Sequence, residues 1–203
     1  MRTQTGPTLG VILAGGASRR FGSDKAQAHL GGKPLLDWVA GRALPQVDLL
    51  LVNTGDQDSP TAGLERLGDD APGEGPMAGL LAALRAAEQR GFARIASFAC
   101  DTPFFPHDLV MTLHETLEMS SADVVLARHR ATSHPIFGIW RTNCSGQLAT
   151  AFAAGCRSLR DVPDHLTVSV ADFPDGDGPD GDPFFNINTR EELALAERWL
   201  AAK

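Results

Sequence analysis

The chain has 203 residues, 43% of them hydrophobic and 21% charged, an ordinary globular composition that excludes disorder throughout. Lys and Arg total 18 against 25 Asp and Glu, a net charge of −7, so the overall basic balance that duplex nucleic acid demands is missing. A small phosphorylated ligand needs only a local cluster of cations, and Arg2, Arg19, Arg20, Lys25, Lys33 and Arg42 all fall early in the chain.

Cys100, Cys144 and Cys156 are odd in number and contain no CxxC, which argues against a disulfide framework or a cysteine zinc site. The early apolar run at 9–14 is too short for a secretory core or a membrane span. The expectation is a cytoplasmic protein, one domain over 1–203, with neither membrane nor nucleic acid as partner.

In chain order, residues 9–14 predict a buried strand. Residues 34–44 predict a helix with Leu35, Leu36, Val39 and Ala43 on one side, and 48–53 a second buried strand. Over 75–91, Met77, Leu80, Leu81 and Leu84 follow helical spacing, with Gly91 as a stop. Residues 94–100 predict a strand ending at Asp101. A helix begins near His107 and carries Leu109, Val110, Leu113 and Leu117. Strands follow at 122–127 and 135–140, a helix around Leu148 and Phe152 ended by Gly155, and a strand at 166–173. Thr189 and Glu192 form a capping box that opens a last helix to about Leu200.

Strands alternating with helices predict an α/β protein with a mostly parallel sheet. Such sheets bind ligands beyond the carboxyl ends of their strands. The loops of interest are therefore 15–33, 53–57, 70–76, 101–106 and 186–189.

The first loop reads Leu13-Ala14-Gly15-Gly16, then Arg19-Arg20, then Asp24-Lys25. Glycines directly after a strand let backbone N–H groups approach an anion, and Arg20 and Lys25 can neutralise phosphates. The loop is neither a Walker loop nor a dinucleotide fingerprint. A true GxGxxG occurs at Gly176–Gly181, but it holds Asp177, Asp180 and a proline, no helix follows it directly, and its acidity repels a pyrophosphate. A calcium loop there is also disfavoured, since the twelfth position from Asp175 is Asn186.

The first loop resembles the signature of the molybdenum cofactor guanylyltransferases, the MobA-type branch of the sugar-nucleotidyltransferase-like fold. Gly75-Pro76-Met77-Ala78-Gly79 extends the resemblance, with Met77 where that family usually has Leu. So do Cys100-Asp101-Thr102-Pro103, the block from His134 to Gly138, and Phe185-Asn186-Ile187-Asn188-Thr189. Five blocks stand in the family's order across 9–193. The resemblance implies a three-layer α/β/α, Rossmann-like nucleotidyltransferase of the nucleotide-diphospho-sugar transferase type. Its nucleotide-binding half would span about 8–105 and its cofactor-substrate half about 106–200. The implied activity is transfer of GMP from GTP to the molybdopterin form of the cofactor with Mg2+, releasing pyrophosphate. Cofactor-inserting enzymes or chaperones are the further partners it suggests.

Asp101 ends a strand, where a carboxylate suits a hard cation, and the resemblance puts the metal there too. Arg20 and Lys25 face the triphosphate, with Arg20 rather than Arg19 fitting the motif. Asp24 is read as holding Lys25 or the loop in place. Leu13, Ala14, Gly15 and Gly16 belong to the nucleotide loop. Asn53 has the donor and acceptor to read a base edge, or is a turn residue. The family's aspartate near the nucleotide aligns with Asp70, with Asp69 as the alternative. Gly75 and Gly79 bracket a helix start and allow close backbone approach. His134, Asn186 and Asn188 are assigned to the acceptor substrate, against structural, turn or capping roles. Cys100 is read as a small buried hydrophobe. The alternatives are a cytidylyltransferase of the same cofactor, which usually carries Leu-Ala-Ala-Gly and Asp-Gln-Pro, and an inactive GTP-binding accessory protein.

Overall fold

The computed structural model describes residues 6–14, 28–54, 59–68 and 74–203. Gly15, Gly16, Arg19, Arg20, Asp24, Lys25, Asp69 and Asp70 lie outside the described residues.

In chain order the elements are β1 (Thr8–Leu13), β2 (His29–Leu30), β3 (Lys33–Pro34), α1 (Leu35–Ala43), β4 (Leu49–Asn53), β5 (Glu65–Leu67) and α2 (Pro76–Gln89). Then come β6 (Arg94–Ala99), α3 (Leu109–Glu118), β7 (Val124–His129), β8 (Thr132–Arg141), α4 (Ser145–Ala153), β9 (Val168–Phe173) and α5 (Arg190–Ala201). One sheet has the order β5-β4-β1-β6-β8-β7-β9, and β2 and β3 form a small separate hairpin. The sheet is parallel except for β8, which runs against both β6 and β7.

The central strands read as continuous apolar runs because helices cover both faces. Alternation along each strand sends Ile12, Phe98, Val125 and Ile139 to the face under α1 and α3. Leu9, Val11, Leu13, Ile95 and Trp140 point the other way, against α2 and α4. This is a three-layer α/β/α sandwich. A third cluster joins the β2–β3 hairpin and the start of α1 to α5 through Leu30, Leu35, Phe104, Ile187 and Ala196.

The predicted strands and helices are all present, with shifted ends. The helix expected near His107 starts at Leu109, and the strand expected at 135–140 begins at Thr132. The β2–β3 hairpin, β5 and the reversal of β8 go beyond the sequence reading. Two- and three-residue strands are too short to show a period. The turn reversing the chain into β8 places Arg130 at φ 52°, without the glycine or asparagine that usually marks such a turn.

Candidate functional site

The register brings the carboxyl ends of β1, β4, β5 and β6 to one edge. Leu13 pairs with both Asn53 and Ala99, and Asn53 pairs with Leu67, so four strands end at the same level. The Ala14 N–H donates to the Asn53 carbonyl at 2.8 Å, holding the start of the first loop against the end of β4.

Asn53 is 3% exposed. Its amide donates to the Leu67 carbonyl at 3.3 Å, and its oxygen faces Gly79 in the first turns of α2. A Cβ on Gly79 would lie 2.9 Å from Asn53 Cγ and 3.1 Å from Leu13 Cδ2, so only glycine lets the helix come this close. The side chain expected to read a base edge is thus packed between β5 and α2. Gly75 caps α2 at φ +85°, and a Cβ there would meet the Arg157 carbonyl at 3.2 Å. Pro76 at the first helical position suits an amide that would lack a partner anyway.

Asp101 follows β6 and is half-buried, and the Thr102 hydroxyl donates to its Oδ1 at 3.3 Å. Its carbonyl accepts the Ile187 N–H at 2.9 Å, which brings the chain between Asn186 and Asn188 alongside it. Among the described residues, no group of three or more His, Cys, Asp or Glu is arranged to cage an ion. A carboxylate at a strand end fits magnesium, which draws most of its shell from phosphate oxygens and water.

Asn186 is exposed, while Asn188 enters the cap of α5. Glu192 Oε2 accepts the N–H of Asn188 at 2.6 Å and of Thr189 at 2.8 Å, and Thr189 Oγ1 accepts the Glu192 N–H at 3.1 Å. The capping box read from the sequence is present in full.

His134 lies near the start of β8, paired with Ala127 beside a bulge. Its ring stacks on Phe184 at 4.5 Å and 20°, two residues before Asn186. Its buried Nε2 has no hydrogen-bond partner among the described residues. Burial lowers its pKa, His129 pushes the same way, and Asp182 opposes them. Among the predicted residues, the structure joins Leu13, Ala14, Asn53 and Gly79 in one cluster and Asp101 with the 186–188 segment in another. Phe184 carries the second cluster toward His134.

The rejected glycine motif is an ionic clasp. The Gly176 N–H donates to the Gly181 carbonyl at 2.9 Å. Buried His129 reaches Asp175 at 2.9 Å and Asp182 at 3.2 Å, and Arg130 forks onto Asp175. Those bonds, Arg130 first, lower the Asp175 carboxyl to about 2. Asp177 is claimed by Lys203 and by Arg42. Sequence reasoning passed over His129 and took Arg42 only as one of several early cations, because neither sits in a motif and their partners lie 46 and 135 residues away.

Cys100 is half-buried against the core, and burial raises the fully enclosed Cys144 thiol to about 12, leaving it unreactive. No helix among the described residues is long and apolar enough to cross a membrane.

Comparison with known proteins adds three findings. Residues 10–170 match the MobA-like NTP transferase domain. A molybdenum cofactor guanylyltransferase of Rhizobium rhizogenes is 38% identical over 198 residues, covering 94% of this chain and 91% of that protein. The solved structure titled molybdopterin-guanine dinucleotide biosynthesis protein A from Archaeoglobus fulgidus superimposes with a TM-score of 0.76 at 25% identity, covering 97% of this chain and all of that one. With a family model over most of its length and near-full-length relatives well above 30% identity, the chain belongs to the MobA-like NTP transferases, the family of the molybdenum cofactor guanylyltransferases.

Proposed function

We propose that this protein transfers GMP from GTP to the molybdopterin form of the molybdenum cofactor. The observation that carries the reading is the convergence on one sheet edge of the end of β1, Asn53, and Asp101 bonded to the Asn186–Asn188 segment. The names of its relatives supply the substrate pair.

In the reaction a terminal phosphate oxygen of the acceptor attacks the α-phosphorus of GTP. A new P–O bond forms, the bond to the β-phosphate bridging oxygen breaks, and pyrophosphate departs with the electron pair. Such transfers need alignment and charge stabilisation rather than a protein nucleophile. Arg20 and Lys25 hold the triphosphate, and Gly15, Gly16, Asp70 and Gly75 complete the nucleotide side. Asp101 would hold Mg2+, which would supply positive charge to offset that of the phosphates. His134, its ring stacked on Phe184 and its Nε2 enclosed, is assigned with Asn186 and Asn188 to the acceptor side. Asn53 acts by fixing the β4 edge against α2, with backbone groups reading the base.

Guanine presents O6 as an acceptor and N1–H and N2–H2 as donors, and adenine reverses the first two. Two unmade buried hydrogen bonds at roughly 1–3 kcal/mol each give about 10²- to 10⁴-fold preference for GTP over ATP. Competition binding with all four nucleotides and Mg2+, alongside pyrophosphate release from GTP plus cofactor, tests this. Tight GTP binding and GTP-dependent release are expected. A preference for CTP would transfer the reading to a cytidylyltransferase, and GTP binding without release to an accessory protein.

A further inference from the structure

The loop carrying Asp101 is held from outside by one cation and one amide side chain. Arg42, in the last turn of α1, is only 14% exposed. Its Nη1 donates to the carbonyls of Phe104 at 2.8 Å and Phe105 at 2.6 Å, and its Nη2 to Asp177 Oδ2 at 3.0 Å. One turn on, the Gln46 amide donates to the carbonyls of Arg42 at 3.0 Å and Pro106 at 3.1 Å. Gln46 Oε1 accepts the Val110 N–H at 3.1 Å, one of the amides at the start of α3 that no helical carbonyl can reach. At the other end of the loop, the Asp101 carbonyl is bonded by Ile187. From 101 to 110 the backbone is therefore tied at both ends and in the middle, and the middle ties all come from α1 and the turn after it.

The chemistry of the group matters here. A guanidinium is planar and spreads its donors over separate nitrogens, so it reaches two successive carbonyls and a carboxylate at once, whereas an ammonium has its three donors on a single atom. A cation this enclosed also needs its counter-ion, and Asp177 supplies it from the acidic clasp.

We infer that Arg42 is a positioning residue for the transfer reaction: by gripping the Phe104 and Phe105 carbonyls it fixes where the Asp101 carboxylate stands. This inference rests on the proposed metal-holding role of Asp101. Arg42 touches no substrate in this scheme, so its loss weakens the metal site and turnover while leaving the nucleotide loop in place.

The test compares Arg42→Lys, Gln46→Leu, Asp101→Ala and Arg128→Ala in the full chain. Arg128 forks onto Asp172 on an exposed part of the sheet and serves as the ion-pair control. The measurements are kcat and KM for GTP in pyrophosphate release, Mn2+ affinity by spin resonance with GTP present, and the thermal midpoint. Arg42→Lys should lower kcat and Mn2+ affinity roughly 10–100-fold, the size expected when a group supporting a metal ligand is removed. Its KM for GTP with Mg2+ saturating should rise by no more than the loss of Mn2+ affinity, because metal and nucleotide binding are linked and the grip on the phosphates themselves is untouched. Gln46→Leu, which buries no stray charge, should shift both quantities in the same direction by at least about threefold if ligand support is what is lost. Arg128→Ala should change neither. Wild-type kcat and Mn2+ affinity in Arg42→Lys, with Asp101→Ala down by about 10²-fold or more, would overturn the positioning role and leave the metal assignment standing. Near-wild-type turnover in Asp101→Ala would remove the metal assignment itself. An equal fall in Arg128→Ala would reduce the effect to general stability.

Discussion

Gly79 shows how one hydrogen atom can decide a site. In an exposed helix, glycine to alanine gains about 1 kcal/mol. Here the added methyl would press on the buried Asn53 side chain and on Leu13. Gly79→Ala is therefore expected to destabilise by about 1–3 kcal/mol through overpacking, measured by denaturant unfolding. A stabilised variant would mean that Asn53 yields easily. His114 poses the opposite problem, a polar ring 7% exposed whose Nε2 lies 3.0 Å from the Arg94 guanidinium. Burial first and Arg94 second lower its pKa, while Glu118 and Glu115 oppose and Arg141 adds to the fall. The unfolded chain then binds the extra proton more readily, so stability is present above about pH 6.5 and is lost as pH falls through that value. His134 shifts the same way. The lowered carboxylates Asp172 and Asp175 lose their contribution only as pH falls below about 4. Thermal midpoints should decline between about pH 6.5 and 5, and His114→Gln should flatten that decline while sparing the acid limb below it. An unchanged slope would dissociate the decline from His114.

At the scale of elements, α5 is positioned by its first turn. Glu192 accepts two backbone N–H groups and returns its own N–H to Thr189, so Glu192→Ala releases the chain at Asn188 as well as the cap. The expected cost is about 1 kcal/mol, with faster hydrogen exchange confined to 188–193 and slower turnover without loss of GTP affinity. Exchange unchanged there would show that the third core cluster alone anchors the helix. This cap was legible in the sequence because its two partners, Thr189 and Glu192, lie three residues apart. So were β1, α2 and the Asp101 strand end, where period and punctuation are local. The direction of β8 was not, because alternation is blind to which way a strand runs. Arg42 also read only as one of several early cations, since its partners at 104, 105 and 177 are set by tertiary packing. Asn53 was picked out for its donor and acceptor. What the sequence did not reveal was that β5 and Gly79 would enclose it, since a three-residue strand leaves no pattern to read.

For the whole molecule, the sandwich supplies a rigid edge, and function is distributed along it by loops of very different origin. Helices α1 and α3 back one face, α2 and α4 the other, and the acidic clasp at 175–182 links the end of β9 to α1 through Asp177. The reversed β8 has a consequence for how the chain comes into being. As a ribosome delivers the protein in order, β6 emerges with β1 to one side and its other edge bare until Thr132–Arg141 arrives to lie between β6 and β7. The third core cluster closes later still, because Leu30, Leu35 and Phe104 wait for Ile187 and Ala196. A nascent chain halted anywhere short of α5 thus carries an open apolar seam, a natural target for a holding chaperone. The proposed transfer site, in which the Ile187 N–H bonds the Asp101 carbonyl, is completed among the last events of synthesis rather than with the strands that open the sequence.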